Sequence, residues 1–394
     1  MNLDAPRMDR SDSPVGYHHF CDDVSLNFQC NRWLQWIQVG DTADAHQEIA
    51  ALARRAQGYP EWIDGFLGLA ETARAAGRTF AAAYYDRAAN FFMLPEDPRR
   101  PDTRARFVEQ MRETYGVTTV HVPFDGGYLP AYDLRPDGAE SHTILMHGGF
   151  DSFVEEFFPM IAALVDDGFR VVIFDGPGQG GALDEAGLSM TADWGRPVGA
   201  VLDHFDLDDV TAIGVSLGGA LVIRAAAAEP RITRVVAYDI MDDFFEGVTH
   251  QIGPGAGPAL RLLLLLRARG VVNTVARVAA ARRPVSDWGL RQGMRVTGTA
   301  TAYEFLRATL GYRTGDISSR ITGDVLLLAG ADDHYVPLHQ LARQAATLTR
   351  ARSVTTRTFT EVEEASNHCQ VGNIGLVNRV VTAWLDQLAD VPVG

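Results

Sequence analysis

The stretch from residue 210 to residue 229, VTAIGVSLGGALVIRAAAAE, constrains the fold of this chain more than any other. Its apolar first part is typical of a buried strand, and the part after Ser216, rich in Ala and Leu, is typical of a helix. Between them, residues 214–218 fit the pattern G-x-S-x-G, in which a serine sits at a sharp turn from strand to helix. The five-residue pattern alone is weak in a chain with 38 glycines, but the strand and helix around it make it specific. We therefore expect Ser216 in a strained backbone conformation, beside the free N–H groups of a helix start.

Composition and charge restrict the class of protein. The chain has 394 residues, of which 46% are hydrophobic and 22% charged, which is typical of a soluble globular protein with more than one domain. Its formal net charge of -15 argues against nucleic-acid binding. The N-terminus lacks the apolar run of a signal peptide, and the apolar run at residues 262–266 is too short to span a membrane. We expect a cytoplasmic protein that binds a small molecule and neither nucleic acid nor a membrane.

The periodicity of hydrophobic residues changes along the chain. Residues 27–115 have helical patterns, which predict an N-terminal helical cap over residues 1–116. From residue 117 onward, strand patterns alternate with helical ones. This alternation predicts an α/β fold with a mostly parallel, eight-stranded sheet and helices on both faces. The predicted strands cover residues 117–123, 128–134, 143–147, 170–174, 210–215, 234–238, 324–329 and 354–359.

Residues 240–321 interrupt the alternation of strands and helices. They contain several helical segments and no convincing strand pattern. An insertion between two sheet strands is expected to lie over the carboxyl ends of the strands, where such sheets bind ligands. We predict a helical lid here, inserted between the two parts of the core at residues 117–239 and 322–394.

Ser216 needs a base, because a neutral hydroxyl is a poor nucleophile at pH 7. In chains with this serine motif, an acid and then a histidine follow the serine in sequence. His368 alone, of 11 histidines, has both this order and a position after the last strand. Asp333 is the favoured acid because it follows the Gly330 turn as Asp-x-x-Val-Pro, and Asp332 and Asp239 are the alternatives.

A second loop predicts an oxyanion hole. His147-Gly148-Gly149-Phe150 follows a predicted strand, and such a loop donates one backbone N–H to a developing oxyanion. The other donor would be the N–H of Leu217, and the choice between Gly149 and Phe150 stays open. His147 itself is expected to shape the loop. We expect no cofactor and no metal site, because neither the three cysteines nor any His/Asp/Glu group has ligand spacing.

Together these residues resemble an α/β-hydrolase. The whole length more narrowly resembles the group of FrsA-like proteins, bacterial 2,6-dihydroxypseudooxynicotine hydrolase and fungal hydrolases that shorten polyketide pigment precursors. The matching segments are residues 27–32, 84–92, 147–149, 174–180, 214–219 and 367–370. The resemblance implies an N-terminal helical cap beside the core, and in some members cleavage of a carbon–carbon bond next to a carbonyl. Dimers are known in this group, so the resemblance also allows a homodimer.

Some members of the group use an extra acidic residue near the substrate. Asp242 and Asp243 lie where such a residue could enter the pocket, and the alternative is that they cap the first lid helix. The leading hypothesis is a serine hydrolase that cleaves a C–C bond, ester, thioester or lactone of a bulky, partly aromatic or polyketide-like molecule. One alternative is an acyl-transfer or cyclisation enzyme with the same triad, and a more distant one is a non-catalytic binding protein.

Overall fold

A twisted sheet forms the centre of the computed structural model, which describes residues 1–2, 4–8, 13–41, 44–56, 58–250, 252–253 and 255–389. Its eight strands have the order β1-β2-β4-β3-β5-β6-β7-β8. The pairs β1–β2 and β2–β4 are antiparallel, and the other neighbours are parallel. This confirms the predicted eight-stranded, mostly parallel sheet. The strands are β1 (Val120–Phe124), β2 (Gly127–Leu134), β3 (His142–His147), β4 (Phe169–Phe174), β5 (Val210–Val215), β6 (Ile232–Tyr238), β7 (Asp324–Gly330) and β8 (Ser353–Phe359).

Alternate residues of the central strands pack into different hydrophobic clusters. On β5, Ile213 and Val215 belong to one cluster, and Val210 and Ala212 belong to the other. This is the side-chain alternation of a strand covered on both faces. The sheet is therefore buried on both sides, as the near-continuous apolar strands predict.

In the described part of the chain, five helices precede the sheet, and their side chains join the hydrophobic cluster on one of its faces. Helix α4 is buried along nearly its whole length, from Phe80 to Phe92. The first strand begins at Val120, later than the predicted start at residue 117. The reason is that Gly116 adopts the left-handed conformation of a helix C-cap, and the N–H of Val117 still bonds to a carbonyl at the end of α5. The helices are α1 (Val24–Gly40), α2 (Ala45–Ala53), α3 (Tyr59–Ala75), α4 (Thr79–Phe92) and α5 (Arg100–Tyr115).

The remaining helices divide between the sheet and the insertion after β6. Those between strands are α6 (Phe158–Asp166), α7 (Gly180–Asp184), α8 (Gly195–Phe205) and α9 (Gly218–Ala226). The insertion contains α10 (Phe244–His250), α11 (Ala256–Leu265), α12 (Arg269–Arg282), α13 (Pro284–Thr297) and α14 (Ala302–Thr309). The chain continues with α15 (His339–Thr347) and α16 (Ile374–Ala389).

The insertion has a small hydrophobic cluster of its own, built around Phe245, Tyr303 and Phe305. The insertion contacts the N-terminal helices through Trp288 of α13, whose ring stacks on that of Phe91 of α4 with 5.0 Å between the ring centroids. The N-terminal helices and the insertion therefore contact each other as well as the core around the sheet. Within the described ranges, no helix is long and apolar enough to cross a membrane.

Candidate active site

Ser216 occupies a tight turn between β5 and α9. Its φ of 62° lies in the left-handed region, which is unfavourable for a residue with a side chain. Two glycines make this turn possible. A Cβ at Gly214 would overlap the Gly218 carbonyl, and one at Gly218 would lie 2.6 Å from the carbonyl oxygen of Gly148. The N–H of Ser216 donates to the Tyr238 carbonyl at 2.5 Å, which fixes the turn against β6.

A chain of hydrogen bonds runs from Ser216 through His368 to Asp333. The Oγ of Ser216 lies 2.8 Å from Nε2 of His368. Nδ1 of the same ring lies 2.7 Å from Oδ2 of Asp333. With the ring proton on Nδ1, the imidazole donates to the carboxylate and Nε2 is free to accept the serine proton.

Asp333 is fixed by its own loop. Its Oδ1 accepts the N–H groups of Tyr335 at 2.7 Å and Val336 at 3.0 Å. The side chain is 2% exposed, whereas the neighbouring Asp332 is exposed to solvent. Of the two adjacent aspartates, the structure brings only Asp333 to the histidine.

Burial and charge act in opposite directions on this pair. Burial opposes a positive charge on His368, but the adjacent Asp333 carboxylate and Cys369 together outweigh it and raise the pKa of the imidazole well above its ordinary value. Burial likewise opposes ionisation of Asp333, but His368 and the Val336 N–H, with a smaller effect of His334, together outweigh it and lower the pKa of the carboxyl group. His368 is therefore a stronger proton acceptor than a solvated histidine.

The glycine loop after β3 lies directly against the serine turn. A Cβ at Gly149 would lie 2.6 Å from the Val215 carbonyl oxygen and 2.9 Å from the Leu217 nitrogen, so only glycine fits. The Gly149 N–H donates to the Ser152 hydroxyl at 3.3 Å. The N–H groups of Phe150 and Leu217 donate to no group in the described part of the chain. This contrast favours Phe150 over Gly149 as the partner of Leu217.

The N-terminal helices hold the glycine loop through buried ion pairs. Arg87 of α4 donates to the Asp151 carbonyl at 2.6 Å and to the Glu156 carboxylate at 2.6 Å. Arg32 of α1 donates to the other oxygen of Glu156 at 2.5 Å. Glu156 also accepts the N–H of Phe153 at 3.0 Å. One buried carboxylate thus connects two cap helices to the loop beside Ser216.

Aromatic rings surround the histidine. Tyr335 and Phe28 of α1 lie 5.0 Å and 6.1 Å from the His368 ring, measured between centroids. Across the site, Phe150 contacts Phe244 at 5.6 Å. Helix α1 and the segments after β3 and β7 therefore bring aromatic rings close to the serine and the histidine, and the segment after β6 packs against one of these rings.

Asp242 and Asp243 are held by arginines. The Asp242 carboxylate contacts Arg343 at 2.5 Å. Asp243 accepts the N–H of Glu246 at 3.1 Å at the start of α10, and it pairs with Arg261 at 2.9 Å. These contacts match the helix-capping alternative for Asp243. A place for either residue in a substrate pocket stays a prediction.

Asp239, His368 and Cys369 offer possible metal-ligand atoms within 4.8 Å of one another. Both nitrogens of His368 are already engaged by Ser216 and Asp333. Burial raises the pKa of the Cys369 thiol, which disfavours the thiolate that binds metals. This donor set does not fit a resident metal ion.

A family model for the alpha/beta hydrolase fold matches residues 142–371, which is more than half of the chain. The chain belongs to the α/β-hydrolase family. It is 31% identical to 20-hydroxy-prefusarin hydrolase FUS2 of Gibberella moniliformis, over 68% of this chain and 71% of that protein. It is 28% identical to Hydrolase LUC6 of Fusarium sp, over 88% of this chain and 92% of that protein.

Solved structures share the fold over nearly the full length. The 2,6-dihydroxy-pseudo-oxynicotine hydrolase superposes with a TM-score of 0.61 at 22% identity, covering 92% of this chain and 95% of that one. AbyA5 superposes with a TM-score of 0.66 at 20% identity, covering 93% and 95%. Together with the family model and the fungal relatives, these matches confirm the expected resemblance to this group of hydrolases.

Sequence reasoning missed two sets of residues around the site. Arg32 and Arg87 lie in segments that carry the family resemblance, but no spacing rule connects them to Glu156. Asp239 was recognised only as an alternative to Asp333, whereas the structure places both carboxylates beside His368. Contacts between residues so distant in sequence leave no local pattern.

Proposed function

We propose that this hydrolase uses Ser216 to attack the carbonyl group of a bulky, partly aromatic or polyketide-like small molecule. His368 takes the serine proton, and Asp333 holds the imidazole in the correct tautomer and stabilises its positive charge. The single observation that carries this proposal is the unbroken hydrogen-bond chain from Ser216 to Asp333. Each link has the length expected of a short, well-aligned hydrogen bond.

The oxyanion of the tetrahedral intermediate would be held by the N–H groups of Leu217 and Phe150. Both groups are free of other partners in the described structure, and the start of α9 adds the positive end of its dipole. His368 then gives its proton to the leaving group, and water hydrolyses the acyl-enzyme on Ser216.

The roof of the site would consist of the cap over residues 1–116 and the lid over residues 240–321. Trp288 stacking on Phe91 and Phe28 lying against His368 support this arrangement. Rings on several sides of the serine favour a flat, apolar substrate. The name of the FUS2 protein, a 20-hydroxy-prefusarin hydrolase, agrees with a secondary metabolite of this kind.

Comparison of substrates in wild type and Ser216→Ala tests the proposal. Activated aryl esters and aryl β-diketones would be assayed, the latter for hydrolysis of the C–C bond. We expect turnover of at least one class in the wild type and loss of it in Ser216→Ala, with an unchanged circular dichroism spectrum. Wild-type rates in the variant would mean that Ser216 is not the nucleophile. Oxygen-18 from solvent water should appear in the carboxylate product, and unlabelled product would favour acyl transfer or cyclisation.

A further inference from the structure

The end of β6 contacts both partners of the serine–histidine pair. The carbonyl of Tyr238 accepts the N–H of Ser216, and its hydroxyl donates to the Cys369 carbonyl at 2.9 Å. The next residue, Asp239, is buried, and its carboxylate accepts the N–H of Cys369 at 2.8 Å and the side-chain amide of Gln370 at 2.9 Å. Two adjacent residues thus fix the turn of the serine and the turn of the histidine relative to each other.

The turn after His368 needs such support. Cys369 and Gln370 have φ values of 50° and 49°, in the left-handed region that residues with side chains rarely occupy. Two consecutive residues in this conformation persist only where surrounding contacts hold them. The Asp239 carboxylate contacts both, so it holds the turn that places the His368 ring.

Asp239 also approaches the imidazole itself. Its Oδ2 lies 3.7 Å from Nδ1 of His368, the nitrogen that is 2.7 Å from Asp333. A movement of roughly 1 Å would bring Asp239 into hydrogen-bond range of Nδ1. Burial and the charge of Asp333 raise the pKa of Asp239 to about 7. Removal of the Asp333 charge would therefore favour an ionised Asp239.

We propose that Asp239 is a positioning residue for His368 that holds the histidine turn and replaces Asp333 at Nδ1 when Asp333 is lost. This inference rests on the proposed triad. The titratable groups that face His368 are Asp333, His334 and Tyr335 after β7, Tyr238 and Asp239 at the end of β6, and the adjacent Cys369.

A double-mutant cycle with a fluorophosphonate probe and an activated aryl ester tests this role. The variants are Asp333→Asn, Asp239→Asn, the double variant, and His368→Ala as the reference without a base. We expect Asp333→Asn to react with the probe and to hydrolyse the ester about 10- to 100-fold faster than His368→Ala does. The double variant should show the same rates as His368→Ala. Asp239→Asn should therefore cost more in the Asp333→Asn background than in the wild type.

A pH profile separates a second carboxylate from a merely structural role. In Asp333→Asn, the acidic limb of kcat/KM should move further toward low pH when Asp239→Asn is added, because the last carboxylate beside the imidazole is removed. Gln370→Ala in the same background is the matched control, since it disturbs the same turn but keeps the Asp239 carboxylate, and it should move the limb less than Asp239→Asn does. An equal shift in the two variants would mean that Asp239 acts only by holding the turn.

The outcomes distinguish this inference from the proposed function. The role of Asp239 would be overturned if Asp333→Asn reacted as slowly as His368→Ala, or if Asp239→Asn lowered the rate equally in both backgrounds. Either result would leave the triad intact. Wild-type rates in Ser216→Ala would instead overturn the triad on which it rests.

Discussion

The N-terminal helices and the insertion after β6 both contact residues around the candidate site, Phe28 lying against His368 and Phe244 against Phe150, but they are attached to the molecule in different ways. Helix α4 is buried from Phe80 to Phe92, whereas α11 buries only Leu264 and α12 only Val272 and Ala276. The cap thus shares the core of the sheet, while much of the insertion faces solvent.

Their arginines differ in the same way. Arg87 of the N-terminal helices is buried, the side chain of Arg32 is 12% exposed, and both arginines share the Glu156 carboxylate. Within residues 267–283 of the insertion, five arginines form no salt bridge with any residue in the described ranges, namely Arg267, Arg269, Arg277, Arg282 and Arg283. Exposed aliphatic side chains lie beside them, including Leu265 at 70% and Val275 at 58% exposure. We therefore expect substitutions in the N-terminal helices to affect stability and the glycine loop more than substitutions on the outer face of the insertion.

The largest effect should come from breaking the ion pairs of the cap. Arg87→Ala leaves Glu156 buried with one arginine fewer, which we expect to lower the free energy of unfolding by about 3–5 kcal/mol. The matched control is Arg277→Ala on α12, expected to change it by less than about 0.5 kcal/mol. Urea denaturation measures both. Equal stability of the two variants would show that the cap and the insertion are not attached differently.

A substitution in the glycine loop after β3, which Arg32 and Arg87 hold, should lower kcat more than it lowers the free energy of unfolding. Gly149→Ala places a Cβ against Val215 and Leu217 and displaces the proposed oxyanion donors. We expect kcat to fall about 10²- to 10³-fold. Gly270→Ala at the start of α12 is the control, because its Cβ meets nothing within 4 Å. A normal kcat in Gly149→Ala would exclude this loop from transition-state stabilisation.

The pH dependence of kcat/KM should be determined by the buried pair of His368 and Asp333 and not by the charges of the insertion. The pKa of His368 is raised, and the imidazole must be neutral to accept a proton, so kcat/KM should rise with pH and reach half of its maximum above 6.5. Asp333→Asn should move this midpoint to lower pH, because it removes the charge that stabilises the imidazolium. Arg277→Ala should not move it. A wild-type midpoint below 6.5 would contradict the assignment.

The smallest effect is expected on the outer face of the insertion. Leu265→Ser should change the free energy of unfolding by less than about 0.5 kcal/mol, because the side chain is 70% exposed. The inward-facing Leu264→Ser is the control and should destabilise clearly, because Leu264 is 3% exposed. Thermal unfolding measures both, and a similar loss for Leu265→Ser would mean that its side chain is covered in solution.

Most of the fold could be predicted from local patterns. Apolar strands such as 210–215 are buried on both faces, and their alternation with helices determines a parallel sheet. Ser216 could be predicted because the motif combines a pattern with its context. Asp333 was separated from Asp332 only by the form of its loop.

The rest of the site depends on contacts between distant residues. Glu156 meets Arg87 across 69 residues, and Asp239 meets Gln370 across 131. Neither pair has a spacing or a period that a sequence could reveal. Asp242 and Asp243 show a further limit of local patterns, because their position near a strand end does not reveal the arginines that engage both.

Ser216 as the nucleophile is tested most directly by the mass of the intact protein after reaction with a fluorophosphonate, followed by identification of the labelled peptide. We expect one label per chain, located on Ser216, that forms rapidly in the wild type and very slowly in His368→Ala. A folded wild-type protein that takes up no label, or takes it up on another residue, would show that Ser216 is not the nucleophile.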